Sequence, residues 1–286
     1  MTPAAFDDRS CRLGEGPLWH PRRQQLFWFD ISGKKLLSRN SSGAMEWTFD
    51  EEVSAAGWIS ETMLLIASAS ALWSFDLSGG SRNRLCPLEA DNAVTRSNDG
   101  RADPWGGFWI GTMGRNAETG AGAIYRFHQG VLRRLFSGIT ISNAICFAPD
   151  RSCAYFTDTT TSQVMQVALD RNGWPSGAPV VHLDLSAEGL APDGAVTDAS
   201  GTLWIAQWGA SRVAAYQGGA LVRTVDLPAA HITCPAFGGS DLTTLFATSA
   251  TQGISQADLT GAHAHGQTFE IPGVAQGQAE PQVLLL

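Results

Sequence analysis

The chain has no apolar run approaching ~20 residues, which excludes a helix built to cross a membrane. Its opening stretch, Met1 to Arg12, carries acids and no apolar core, so no secretory leader is expected. Cysteine is scarce and odd in number: there are 5, with no Cys-x-x-Cys pair, so neither a disulfide framework nor a thiolate zinc centre follows. Cys146 and Cys153 flank a turn and are expected to stay free and buried. Basic residues are also few, 19 Lys and Arg against 27 Asp and Glu, for a net charge of −8. That balance speaks against nucleic acid or an anionic membrane as partner. Together these features predict a cytoplasmic protein. No P-loop, EF-hand loop, His-Glu-x-x-His or Gly-x-Ser-x-Gly occurs. There are six His; His20, His128 and His182 sit in turn or edge contexts without a nucleophile partner, while His231 is placed to reach the channel but reads first as a packed or solvent-facing ring.

Amphipathic helical periodicity is scarce too. What is abundant is Gly (31) and Trp (10), in short aromatic and β-branched runs separated by Gly, Asp, Asn and Ser turns. This is the pattern of many short strands. Runs centred near Phe27–Phe29, Leu64–Ala67, Phe108–Gly111, Ala154–Thr157, Leu203–Ala206 and Leu245–Thr248 recur every ~40–50 residues, the length of one propeller blade. Six units fill residues 1–286 as a single domain, an all-β six-bladed propeller with four-stranded blades around a central channel. A strand from the tail after Gln267 is expected to pair with an N-terminal strand and close the ring.

Within the repeat, a polar residue precedes each aromatic run by 11 to 13 positions: Glu15, Asn98, Asn143 and Asp193. Each has a local reading when taken singly. Glu15 would cap turn amides, Asn143 would be a turn amide, and Asp193 lies in an ordinary Pro-Asp-Gly turn. Their common phase is what sets them apart, because equivalent positions around an axis converge. Two carboxylates and two amides meeting at one mouth of a channel make a site for a hard cation. The other two units, near Ala56-Gly57-Trp58 and Thr233-Cys234-Pro235, offer no carboxylate, which leaves coordination positions open for water or substrate. Asp99, Asp103, Asp150 and Asp198 read as turn formers.

Leu13-Gly14-Glu15-Gly16-Pro17-Leu18-Trp19, Arg96-Ser97-Asn98-Asp99-Gly100, Gly111-Thr112-Met113, Ile141-Ser142-Asn143, Pro192-Asp193-Gly194 and Cys234-Pro235-Ala236-Phe237-Gly238-Gly239 resemble, in order, the senescence marker protein-30/gluconolactonase/regucalcin family. The resemblance implies one divalent metal held by Glu15, Asn143 and Asp193, with substrate contacts from Arg96 and Asn98. The family's further acid after Gly-Thr-Met has no direct match, and Glu118 or Asn116 stands nearest. The implied activity is hydrolysis of a sugar lactone to the aldonic acid. In that scheme the metal polarises the lactone carbonyl and Asp193 assists the attacking water. Oxygen ligands favour Ca²⁺, Mg²⁺ or Mn²⁺, with Zn²⁺ or Fe²⁺ compatible. An aryl esterase or organophosphate hydrolase on the same architecture, and a non-catalytic Ca²⁺-binding regulator, are the alternative functions.

Overall fold

Each aromatic or branched run becomes the second strand of a four-stranded antiparallel sheet in the computed structural model, which describes residues 2–259 and 264–285. These strands are Gln25–Asp30, Met63–Ser68, Phe108–Gly114, Cys153–Asp158, Leu203–Trp208 and Thr244–Ala250. They read as continuous apolar runs because both of their faces are buried. In Leu26-Phe27-Trp28-Phe29, for example, Phe27 and Phe29 pack toward the second sheet, while Leu26 and Trp28 pack toward the sixth. Six apolar clusters result, one in each interface between consecutive sheets.

The six sheets follow one another around an axis as an all-β propeller. Their first strands, Gly14–His20, Val53–Trp58, Thr95–Ala102, Ser142–Phe147, Ala191–Thr197 and His231–Gly238, pack on one another in sequence, and the last packs on the first. The last sheet is completed across the termini: Ala4–Asp7 pairs antiparallel with Thr268–Ile271, as the tail predicted. Gln282–Leu284 forms no strand; instead Val283 is buried against the second and third sheets.

The rest of the tail crosses the channel near the far ends of the first strands. Gln278 Nε2 donates to Thr197 Oγ1 (2.8 Å), and Trp58 Nε1 donates to the Glu280 carbonyl (2.8 Å). The Glu280 carboxylate meets Arg101 Nη1 in a buried ion pair. All five cysteines are free. Among the described residues no helix is long and apolar enough to cross a membrane.

Candidate active site

Each first strand carries a register shift near its start: Glu15/Leu18, Val53/Ala55, Ser97/Gly100, Asn143/Cys146, Pro192/Ala195 and Ile232/Pro235. A bulge breaks the strict alternation of a strand and re-aims side chains. Here it turns polar residues into the channel mouth. Glu15 and Asn143 pair with Phe29 and Thr157 just before the shift, whereas Asn98 and Asp193 lie inside it. The unequal offsets in the sequence therefore mark two bulge positions rather than one equivalent position. Gly16, after Glu15, sits at φ +53° with Ser54 O 2.2 Å from where a Cβ would stand, so only glycine fits. Ala144, after Asn143, adopts φ +56°, a conformation costing an L-residue about 1 kcal/mol.

The second-sheet counterpart is Ser54, not the expected Ala56-Gly57-Trp58, which lies further along the strand. Ser54 Oγ donates to Asn98 O (2.6 Å), and Thr233 Oγ1 in the sixth sheet donates to Gly14 O (2.6 Å). These hydroxyls tie one first strand to its neighbour and contribute no charge.

Glu15, Arg96, Asn98, Asn143 and Asp193 come together around one cavity of about 160 Å³, with Thr159 beside them and Leu13, Met113, Ile141, Trp208 and Gln252 as the remaining walls. A hydrogen-bonded chain spans its floor. Arg96 Nη1 donates to Asn98 Oδ1 (2.8 Å) and Asn98 Nδ2 to Asn143 Oδ1 (2.9 Å). Asn143 Nδ2 in turn donates to Thr159 Oγ1 (2.9 Å), whose proton goes to Pro192 O (2.8 Å). The chain fixes the Asn143 amide orientation and leaves its Oδ1 a second lone pair.

The two carboxylates are poorly compensated. Burial, followed by the charge of Asp99, pushes Glu15 up to about 8. Burial and the nearby Glu15 raise Asp193 well above the ordinary carboxylate range. Arg96 is lowered to about 10 by burial, against the pull of Glu15, and stays a cation at neutral pH.

Glu118 does not reach the cavity. Its carboxylate accepts from Asn116 N and Nδ2 (3.0 Å each) and closes its own turn, and Asn116 itself is exposed. Asp99 is no turn former: it is buried on a first strand, accepts from Ile145 N (2.7 Å), and burial raises it to about 6. Thr159 and Gln252 had no signal in the sequence, since one follows a strand-end Asp and the other lies in an irregular segment. Among the described residues no three His, Cys, Asp or Glu side chains are grouped so as to hold a metal ion by themselves. The candidate set has two acids, with an amide as its third member.

The family model for the SMP-30/gluconolactonase/LRE-like region matches residues 13–251. The chain is 32% identical to a 6-deoxy-6-sulfogluconolactonase of Pseudomonas putida, over 94% of each chain. It is 30% identical to the pentonolactonase XacC of Haloferax volcanii, over 98% of this chain and 97% of that one. The solved structure of a calcium-binding protein, regucalcin, from Agrobacterium tumefaciens superposes with a TM-score of 0.97 at 38% identity, covering 99% of this chain and 98% of that one.

Proposed function

This chain belongs to the SMP-30/gluconolactonase/LRE-like family, and we propose that it is a cytoplasmic, six-bladed lactonase that opens a sugar lactone to its aldonic acid. The observation that carries the reading is the pair of buried carboxylates, Glu15 and Asp193, facing one small cavity beside a fixed amide oxygen and a buried guanidinium. Buried acids with a single arginine for compensation fit a divalent cation, and oxygen donors select Ca²⁺, Mg²⁺ or Mn²⁺ first. Glu15, Asn143 and Asp193 would hold it, and when bound it supplies Lewis acidity toward the lactone carbonyl. Arg96 and Asn98, locked to each other, orient the ring through hydrogen bonds. Asp193 takes the proton of the water that adds to the carbonyl carbon. The ring C–O bond then breaks and the proton held by Asp193 passes to the departing oxygen, which becomes a hydroxyl and leaves Asp193 ionised again, so the net change is one water consumed and one acid formed.

A pH-stat panel of five- and six-membered aldonolactones, with an aryl ester and an organophosphate alongside, tests this reading. Lactones are expected to be turned over, and chelation to abolish the turnover until a divalent cation is restored. Organophosphate turnover with inert lactones would reassign the chemistry, and full activity after thorough chelation would exclude a metal role. The same chelated sample has a pH signature. Glu15 titrates near 8 when folded against an ordinary 4.5, so the folded cation-free protein binds more protons than the unfolded chain between those values. Its stability therefore falls as pH rises through that window. Cation binding requires the ionised form, so the thermal shift on adding Ca²⁺ should grow from pH 5 to pH 8.

Thr159 should matter without touching the cation. Thr159→Val removes both the acceptor that holds the Asn143 amide and the donor to the carbonyl preceding Asp193. Losses of about 10–100-fold in Ca²⁺ affinity are expected, as for other residues that orient ligands. Thr159→Ser should bind like the native protein. Calorimetric titration of both variants checks it.

A further inference from the structure

One wall of the cavity is built in a way that water activation and carbonyl polarisation do not require. Trp208, at the end of Leu203–Trp208, stacks on His231, with ring centroids 4.1 Å apart and planes at 15°. His231 Nδ1 donates to the Gln252 carbonyl (2.8 Å), which sets the proton on Nδ1 and fixes the ring. The Gln252 backbone is held in turn, its N–H donating to Arg12 O (2.9 Å). The indole is thus clamped before any ligand arrives. Both Trp208 and Gln252 border the cavity without joining the hydrogen-bonded chain of its floor. The Gln252 side-chain amide makes no hydrogen bond among the described residues, and Gln252 is exposed.

We propose that Trp208 is the substrate-stacking, specificity-determining residue of this site, receiving the C–H face of a hydroxylated ring while the Gln252 amide takes a ring hydroxyl. A ring held at its edge by hydrogen bonds from Arg96 and Asn98 leaves its C–H faces to the remaining walls, of which Trp208 is the aromatic one. An indole face carries negative potential that suits polarised C–H groups. A clamped indole also loses little freedom on binding, so the contact is expressed as affinity. Acyclic esters lack such a face and are discriminated against. The inference rests on the lactonase reading.

The test is a KM-against-kcat split for wild type, Trp208→Phe, Trp208→Leu and His231→Leu on one six-membered aldonolactone, together with titration of wild type and Trp208→Phe by the corresponding sugar lactam, which is not hydrolysed. Trp208→Leu is expected to raise KM about tenfold while kcat falls less than threefold. Trp208→Phe should stay within threefold of wild type in KM, and His231→Leu should fall between. The lactam should produce a saturable indole-fluorescence change in wild type that Trp208→Phe lacks. An unchanged KM in Trp208→Leu overturns the proposal. A wild type that hydrolyses no lactone would remove the lactonase reading, and the lactam titration then decides the stack alone: a Trp208-dependent signal upholds it and none rejects it. The lactam signal likewise decides should the Leu variant fail to fold.

Discussion

Asp193→Asn is expected to cut lactone turnover by roughly 10²–10⁴-fold, the usual worth of a positioned general base, while the protein stays folded. The two side chains have nearly the same shape, and the bulge that aims residue 193 is set by backbone pairing rather than by its charge. The native carboxylate is buried near Glu15 and Asp99, whose charges both oppose its ionisation. Removing that charge relieves repulsion, so the chelated variant at pH 8 should unfold at the same temperature as the native chain or higher. Turnover measured by pH-stat at saturating cation separates loss of the base from loss of cation affinity. A variant within threefold of the native rate would take Asp193 out of the reaction.

The largest effect on stability is expected far from the chemistry, at Glu280→Ala. Arg101 is buried and faces Glu280; its Nε and Nη2 donate to Ile145 O (3.3 Å) and Ala195 O (3.2 Å). Truncating Glu280 removes the guanidinium's contacting ion-pair partner and leaves it only the field of buried Asp99, and breaking a buried pair from one side costs about 3–5 kcal/mol. The double change Arg101→Met with Glu280→Leu should recover most of that loss, because the desolvated charge disappears with its partner. Denaturant unfolding of the native, single and double variants makes the comparison. A single variant as stable as the native chain would mean that the tail contributes little to closing the channel.

The strand periodicity was readable because the second strand of every sheet is buried on both faces, and such strands cannot hide their apolar runs. That Glu15, Asn143 and Asp193 border one cavity was foreshadowed by their near-constant spacing from the aromatic runs. The exact phase was not, because a bulge adds residues without any compositional mark: Glu15 with Asn143, and Asn98 with Asp193, occupy different sides of the shift. Ser54 was missed for the same reason. Asp99 looked like a turn residue because Asn-Asp-Gly has turn chemistry, yet those three residues lie on a buried first strand. Glu118 shows the converse: an acid near the expected place along the chain finds its partner in Asn116, two residues away, and does not reach the cavity. Gln252 and Thr159 become visible only in three dimensions, since each faces the cavity from a segment with no repeat of its own.

The seam between Ala4–Asp7 and Thr268–Ile271 has a consequence for biogenesis. The first of these segments leaves the ribosome more than 260 residues before its mate exists. At ~5–20 residues per second, that is a wait of roughly 13–50 s. Throughout it the nascent chain has an unsealed flank that can recruit the wrong neighbour. The flank is sealed only once Thr268–Ile271 has emerged, so weakening this one seam should slow maturation more than it lowers the final stability.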